Sequence, residues 1–295
     1  MGRREEGSGG GAIAPVSVPM RPVAIREMTG ADLEAALRLC RVAGWNQLEA
    51  DWRCFLECSP HGCRVAVGEG RVVGTVTTLK YERRFGWISM LLVDPAWRGQ
   101  GIGTRLLQEG CALLSEVETV RLDATPAGKL VYDKAGFRDE YPLVRMRAAA
   151  PGAEASSGVR PLCDGDWDWL LALDRSAFGA DRAALLRRLW QAAPGYAFAA
   201  EDGFVLGRHG FLAEQIGPVV AMKDAAARAL VSAVLAQLKS RTVMIDAPAH
   251  TPGWNRWLES CGFREERPFV RMCRGPNSSP GVPGRVFAIA GPELG

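Results

Sequence analysis

A glycine-rich turn is the place in this chain where residue types and spacing most directly predict chemistry. Arg98 opens the turn, and glycines follow at Gly99, Gly101 and Gly103. Glycines let the backbone approach a ligand without a Cβ in the way. A helix that begins here directs its free amides and the positive end of its dipole at one point. Because Arg98 adds a full positive charge, the turn predicts a pyrophosphate site.

Two other phosphate-binding motifs fit this turn less well. A Walker loop needs Gly-Lys-Ser/Thr after its glycines, and that sequence is absent. A dinucleotide fingerprint needs an acidic residue on a second strand tip roughly 20 residues further on. Glu116 and Glu118 lie near that distance, but on a predicted helix end. A tight connection that binds nothing remains open on the glycines alone.

The elements around the turn follow from the spacing of apolar residues. Residues 87–93 form a nearly continuous apolar run, which predicts a central strand, and Asp94-Pro95 ends it. From Gly103 onward the apolar residues recur on one face of a helix. Segments 64–67 and 72–79 predict a hairpin, 120–124 another strand, and 130–134 a short helix. A strand, a turn and a helix therefore present the glycines.

The chain also repeats itself once. Gly136-Phe137 and Gly262-Phe263 are separated by 126 residues, and Val144-Arg145-Met146 recurs at the same offset. An Ala/Gly/Ser-rich stretch lies between the halves, as linkers do. Two copies of one mixed α/β unit are therefore predicted. We expect a flexible tail at 1–21, a first domain at 22–148, a linker at 149–157 and a second domain at 158–295.

A longer motif resembles a known family. Val93-Asp94-Pro95, the turn from Arg98 to Gly103 and the segment Tyr132-Asp133-Lys134-Ala135-Gly136-Phe137 resemble the GNAT superfamily of N-acetyltransferases in both order and spacing. Segments 44–47, 51–52, 122–128 and 287–295 resemble a bacterial subgroup in which a degenerate GNAT-like domain follows the first. The resemblance implies a mixed α/β fold of two tandem GNAT-like domains, each a mostly antiparallel central sheet flanked by helices.

The resemblance also implies acetyl-CoA as the co-substrate of an N-acetyltransferase. The strand at 87–93 would splay from its neighbour, so that its backbone pairs with the pantetheine arm. Positions carried over from the family's cofactor site are Leu91, Leu92, Val93, Arg98, Gly99, Gln100, Gly101, Ile102, Gly103, Thr104 and Lys134. The second half contains no glycine between Gly217 and Gly253, so we expect no CoA there.

Two residues are candidates for proton transfer. Tyr132 matches the family's tyrosine, and a phenol with a pKa of ~10 suits protonation of a leaving thiolate. Its alternative role is packing against the sheet. Asp123 ends a strand and is a candidate base, with capping of the turn at Thr125 as its alternative role. The second half has Leu258 where the first has Tyr132.

The acceptor pocket is expected after the first helix. Trp45, Asn46 and Gln47, together with Thr125, are candidate acceptor contacts, although Trp45 and Trp52 lie seven residues apart and also fit a packed core. The expected acceptor is a primary amine of a small molecule or an amino acid. A CoA-binding module without turnover and a protein N-acetyltransferase remain as alternatives.

Composition limits the other partners. The formal net charge is +3 and basic residues are scattered, which argues against a nucleic-acid partner. Cys54, Cys58 and Cys63 with His61 match no common zinc spacing, so no metal is expected. No apolar run approaches bilayer-spanning length, and we expect no membrane partner and a cytoplasmic location. The sequence leaves a homodimer open.

Overall fold

The computed structural model describes residues 21–152, 157–238, 240–249 and 252–295. Most of the predicted tail and part of the predicted linker lie outside these ranges. Within them, no helix combines the length and the apolar character needed to cross a bilayer.

The first half forms the elements that its apolar periodicity predicts. In chain order they are β1 (Val23–Glu27), α1 (Leu33–Val42), α2 (Glu49–Cys58), β2 (Cys63–Gly68), β3 (Arg71–Tyr81), β4 (Phe85–Val93), α3 (Ile102–Leu113), β5 (Thr119–Ala124), α4 (Pro126–Lys134) and β6 (Arg138–Ala148). The predicted hairpin is β2–β3, and the predicted central strand is β4. Both predictions are confirmed.

The second half repeats this order and adds one strand at its end. Its elements are β7 (Arg160–Pro161), α5 (Trp167–Phe178), α6 (Ala183–Ala192), β8 (Phe198–Ala200), β9 (Gly203–Arg208), β10 (Glu214–Ala221), α7 (Asp224–Gln237), β11 (Val243–Pro248), α8 (Pro252–Ser260), β12 (Arg264–Arg274) and β13 (Val286–Ala288). Strands β6 and β12 are related by the 126-residue offset at both ends. The internal repeat is therefore a structural repeat.

The two halves share a single sheet. The strand order is β1-β2-β3-β4-β5-β12-β6-β11-β10-β9-β8-β7, and β13 pairs with β10 beside this path. Strand β12 of the second half pairs with β5 of the first, and β6 of the first half pairs with β11 of the second. The sequence predicted one sheet for each domain. The exchange of β6 and β12 merges them, because each strand completes the sheet of the other copy.

Two buried ion pairs repeat across this exchange. Both carboxylate oxygens of Asp123 on β5 accept from Arg271 on β12 at 2.9 Å. Asp246 on β11 accepts from Arg145 on β6 at 2.7 and 2.8 Å. Each pair joins one half to the other, and both carboxylates are fully buried. A buried ion pair becomes costly when one partner is missing, so these pairs disfavour separation of the halves.

Helices cover both faces of the sheet around β4. On one face, Leu106 and Leu107 of α3 pack in one buried cluster with Ile88 of β4. On the other face, α1 and α2 bury Leu39 and Trp52 together with Met90 of β4. Trp52 is therefore a core residue, as its spacing predicted. Ile88 and Met90 are two residues apart and would share a face in a regular strand, so the irregularity at Met90 is what lets them reach opposite faces.

Strand β4 separates from β5 in the middle of the sheet. The two strands pair in parallel only from Phe85 to Trp87. Beyond that point β4 bulges, with Met90 at a φ of 49° and a register shift against β3. A bulge bends the strand and increases its twist. The predicted splay is confirmed, and it leaves a gap that opens toward the ends of both strands.

Candidate active site

The gap between β4 and β5 widens into a cavity of about 770 Å³. Side chains from both faces of the sheet line it, so the cavity passes through the sheet. Among the predicted site residues, the lining contains Trp45, Gln47, Leu91, Leu92, Val93, Arg98, Asp123, Thr125 and Tyr132. Sequence positions more than eighty residues apart therefore meet in one space.

On the α3 face, bare backbone surrounds the start of the helix. Gly99 and Gly101 have φ values of 75° and 72°, a region in which residues with a Cβ are strained. Among the residues that the structure describes, a Cβ at either position would meet no atom within 4 Å. The first intrahelical acceptor is Gly101, which receives the Arg105 amide at 3.0 Å. The preceding amides are those that a helix leaves for an anion.

Arg98 lies beside this helix start, where the sequence placed a positive charge. Its side chain is exposed and its Nε donates to the carbonyl of Val93 at 3.2 Å. Gln100 turns inward instead, and its side-chain oxygen accepts from the Arg21 amide. Lys134 is exposed on α4 and does not line the cavity. The fit to a pyrophosphate thus rests on the turn and Arg98.

The edge of β4 that faces β5 supplies further backbone groups. Within the described residues its pairing with β5 ends at Trp87, and Leu91, Leu92 and Val93 all line the cavity. Unpaired strand edges readily accept an extended partner. The structure thus brings together an open strand edge, which lines the cavity, and the bare helix start that follows Arg98, although residues 99–104 do not line the cavity themselves. An extended ligand with an anionic end fits both.

Tyr132 lines the same side from α4. Its ring lies against Phe137, and its hydroxyl has no hydrogen bond among the residues that the structure describes. Burial raises the pKa of Tyr132 to about 12, so the phenol keeps its proton at neutral pH. Gly128 allows this placement, because a Cβ there would lie 2.9 Å from the Tyr132 ring. A protonated, unengaged hydroxyl is what a proton donor requires.

Asp123 occupies a different setting from the one expected. Both of its oxygens accept from Arg271, and neither caps the turn at Thr125. Thr125 itself caps α4, accepting from the Gly128 amide at 3.3 Å. Burial raises the pKa of Asp123, while Arg271 acts in the opposite direction. The geometry therefore gives Asp123 a positioning role toward Arg271, and its role as a base stays a prediction.

On the opposite face, the segment after α1 forms part of the wall. Trp45 is half-buried and lines the cavity. Gln47 is buried and lines it too, and its Oε1 has no hydrogen-bond partner within the described residues. Asn46 points away from the cavity. Its side chain accepts from the amides of Leu212 and Ala213 and donates to the Ala213 carbonyl. Asn46 thus joins the halves instead of lining the pocket.

The second half contributes a wall that sequence reasoning missed. The added residues are Arg267 and Phe269 of β12, together with Pro292 and Glu293. Glu293 is buried, and one of its oxygens accepts from Arg208. Burial alone would raise the pKa of Glu293, but Arg208 and the Gln47 amide hold it below its ordinary value. Glu293 is therefore a charged carboxylate in the cavity wall.

No metal centre accompanies this site in the described ranges. Within them, no group of three or more His, Cys, Asp or Glu side chains is arranged to hold an ion. Cys54 and Cys58 lie 3.7 Å apart on α2, and both are free thiols. The polar groups of the cavity are its carboxylates, its guanidinium groups, its backbone amides and the Tyr132 phenol.

Comparison with known proteins agrees with this geometry. Residues 59–139 and residues 170–288 each match a family model described as an acetyltransferase (GNAT) domain. Holothin acyltransferase of Pseudoalteromonas sp. (strain SANK 73390) is 28% identical over 258 residues, which cover 85% of this chain and 87% of that protein. The uncharacterized N-acetyltransferase YitH of Bacillus subtilis (strain 168) is 25% identical, covering 88% and 94%.

A solved structure shares the fold over almost the full length. The putative acetyltransferase from Pyrococcus horikoshii superposes with a TM-score of 0.81, covering 96% of this chain and 99% of that one, at 24% identity. The two family models fall on opposite sides of the predicted linker, one in each copy of the repeat. We conclude that the chain is an acyltransferase of the GNAT superfamily with two GNAT domains.

Proposed function

We propose that the protein transfers an acetyl group from acetyl-CoA to the amine of a small molecule. The observations that carry this proposal are the cavity through the sheet, lined by polar side chains from both halves, and the bare start of α3, which follows Arg98 at the edge of that cavity. When bound, acetyl-CoA supplies an acyl thioester whose C–S bond breaks as the N–C bond to the amine forms. The two faces thus separate donor from acceptor.

Each side of the cavity has residues suited to its ligand. The amides at the start of α3 and Arg98 hold the pyrophosphate, and the open edge of β4 aligns the pantetheine arm. Tyr132 donates its proton to the departing sulfur, and the proton that the acceptor nitrogen loses returns to Tyr132 through solvent. On the other face, the unpaired Oε1 of Gln47 and the carboxylate of Glu293 receive the acceptor's amine. Holding the two reactants together is the main catalytic device.

A small acceptor fits better than a protein tail. Pro292 and Glu293 lie on the acceptor side of the cavity, and Arg208 of the second half fixes both Glu293 and Asp51. These contacts place residues of the second half across the acceptor side. An extended peptide would need an open groove across the same surface. Relatives with acyltransferase names support transfer in general, and this added wall supports a small amine.

The test combines binding with turnover. Calorimetry should detect binding of acetyl-CoA to the purified protein, and thiol detection should report CoA release with members of an amine panel. Binding without release on any amine would favour a CoA-binding module, an alternative supported by the engagement of both Asp123 oxygens with Arg271. Absence of binding to CoA and to its acyl esters would remove the proposal altogether.

A further inference from the structure

Besides the exposed Arg98, one charged side chain in the cavity wall has no counterion among the residues that the structure describes. Within the described ranges, Asp123 is paired with Arg271, Arg145 with Asp246, and Glu293 with Arg208. Arg267 lines the same cavity, yet it forms no ion pair among those residues, and its Nε is buried without a hydrogen-bond partner. A buried donor that lacks an acceptor is costly, which makes Arg267 a candidate ligand-binding group.

A second guanidinium makes this position more unfavourable. Arg267 on β12 lies directly opposite Arg145 on β6 in the strand register. Both guanidinium groups approach the ring of Phe269, at 4.9 Å and 5.3 Å from its centroid. Like charges facing each other across a strand pair destabilise it. Burial and the nearby Arg145 lower the pKa of Arg267. Asp246 and Glu266 also attract Arg267, but their ion pairs are formed with Arg145 and Arg147 instead.

The internal repeat supplies a control position for this pair. An offset of 126 residues relates Arg271 to Arg145 and Arg267 to Tyr141. Tyr141 and Arg271 also face each other across β6 and β12, and there Arg271 donates to the Tyr141 hydroxyl at 2.6 Å. In the pair that does not line the large cavity, Arg271 lies opposite a neutral hydroxyl, that of Tyr141. In the pair that lines the cavity, Arg145 lies opposite a second cation, Arg267.

The rest of the acceptor side indicates what the ligand carries. Gln47 presents a buried oxygen without a donor, and Glu293 presents a carboxylate, so this side accepts N–H groups. Arg267 presents donors and a positive charge. A molecule with an ammonium and an anionic group complements both. Planar carboxylates suit a guanidinium, which can donate two parallel hydrogen bonds.

We propose that the acceptor carries a carboxylate near its amine and that Arg267 binds this carboxylate. The acceptor is then an amino acid or a close analogue, held by Gln47 and Glu293 at its amine and by Arg267 at its acid. This inference rests on the proposed function for the donor and the reaction, and it adds the acceptor's chemical class.

The first measurement compares matched acceptors with acetyl-CoA as donor. The proteinogenic amino acids and their carboxamides share the amine and differ in the carboxylate. For the preferred side chain, kcat/KM should be about 10- to 100-fold higher for the acid than for the amide, the range expected for a hydrogen bond to a charged group. Equal rates for the acid and the amide would overturn the subsite, and so would transfer only to amines that lack a carboxylate.

Variants locate the effect. Arg267→Gln should bring acid and amide to within about twofold of each other, since it removes the charge that distinguishes them. Arg264→Gln is the matched control, because Arg264 is exposed on the same strand, donates to the Phe263 carbonyl and does not line the cavity. It should retain the full preference. A preference that survives Arg267→Gln would contradict the assignment.

Two further arms separate the sources of failure. Succinyl-CoA tests whether the anion belongs to the acyl group: a gain over acetyl-CoA that depends on Arg267, with no discrimination between acid and amide, would overturn the proposal. Calorimetry with N-acetylated amino acids and free CoA reads binding without turnover. Binding that Arg267→Gln weakens about tenfold or more would support the subsite even if no acetyl transfer occurs, in which case the proposed function fails alone.

Discussion

Each copy of the repeat has a cleft where one strand leaves its parallel neighbour, and this cleft is open in the first copy and filled in the second. In the first, β4 leaves β5 after Trp87, and the gap is a cavity of about 770 Å³. In the second, β10 leaves β11 after Ile216 in the same way. There β13 enters the gap, pairing with β10 at Val219 and Val220, while the Ile289 amide donates to the Asp246 carbonyl. What remains open beside the Tyr141–Arg271 pair is a cavity of only about 10 Å³, and no residue of β10 or β11 lines it.

The helices that follow these strands, α3 and α7, also differ in the residues at their N-termini. Gly101 precedes α3 with a bare backbone, whereas Lys223 precedes α7 and Asp224 occupies its first turn. A carboxylate there already uses the positive end of the helix dipole. Gly217 permits the closure, because a Cβ at that residue would lie 2.0 Å from the Ile289 carbonyl oxygen. The second copy therefore lacks both features of the open cleft: the bare helix N-terminus and the unpaired strand edge.

The largest effect should follow from removing one hydroxyl in the open cleft. Tyr132→Phe should lower turnover by about 10²- to 10⁴-fold, the usual contribution of a positioned acid, with little change in CoA affinity. Steady-state rates and calorimetry measure the two quantities. Tyr196→Phe, whose hydroxyl lies near His209 in the second half, is the control and should keep full turnover.

The pH profile gives an independent check of the same assignment. With a pKa of about 12, the Tyr132 phenol stays protonated, so turnover should not fall as pH rises to about 10. A fall in turnover near pH 8 that disappears in Tyr132→Phe would show that the phenol titrates much lower. Unchanged turnover in the variant would remove Tyr132 from the reaction.

A smaller effect is expected at the exchanged strands. Asp123→Ala leaves Arg271 buried without its partner, and the free energy of unfolding should fall by about 3–5 kcal/mol. Asp246→Ala removes the equivalent partner of Arg145 and should cost a similar amount. Denaturant titration measures both. If Asp123→Ala remains folded and loses turnover that Asp246→Ala keeps, Asp123 is a base and not only a partner of Arg271.

The glycine turn allows a still finer test. Gly101→Ala places a Cβ in a left-handed conformation, which costs about 1–2 kcal/mol, and in the space proposed for pyrophosphate. CoA affinity should fall roughly tenfold, about 1.4 kcal/mol. Gly136→Ala introduces comparable strain at a φ of 84° away from the cavity. Equal CoA affinity in the two variants would show that the turn does not hold the ligand.

The last prediction is that the number of CoA molecules bound per chain does not change. Calorimetry should give one CoA per chain, because β13 fills the second cleft. Replacing both Met222 and Lys223 by glycine restores a bare backbone before α7, yet the count should stay at one. A second binding event in this variant would mean that the side chains before α7, and not β13, exclude the ligand.

The elements that form the proposed donor side could be predicted from sequence, because each is determined by residues close together in the chain. The turn from Arg98 to Gly103 and the motif at Tyr132 each lie within a few residues, and the apolar run of β4 fixes the strand before the turn. The match of Asp246 to Asp123 also follows from the repeat. The spacing of neighbouring residues was therefore enough to predict the helix start, the central strand and the position of the candidate acid.

The acceptor side could not be predicted in the same way. An internal repeat does not tell which copy a strand pairs with, so the exchange of β6 and β12 left no sequence signal. Arg267 and Glu293 reach the cavity only through that exchange and through the segment after β13. Asn46 had the polar character of a ligand contact, but its partners at Leu212 and Ala213 are distant in sequence.

The segment from Val286 to Glu293 has a consequence for how the protein can be divided. It occupies the second cleft with β13, and a few residues later it delivers Glu293 to the wall of the first. The predicted linker at 149–157 therefore divides the sequence, but it does not divide the structure into two independent units. A fragment that ends there would keep the proposed donor site, but it would have an unpaired strand edge and only part of the proposed acceptor pocket. The second copy is therefore needed to complete the cavity.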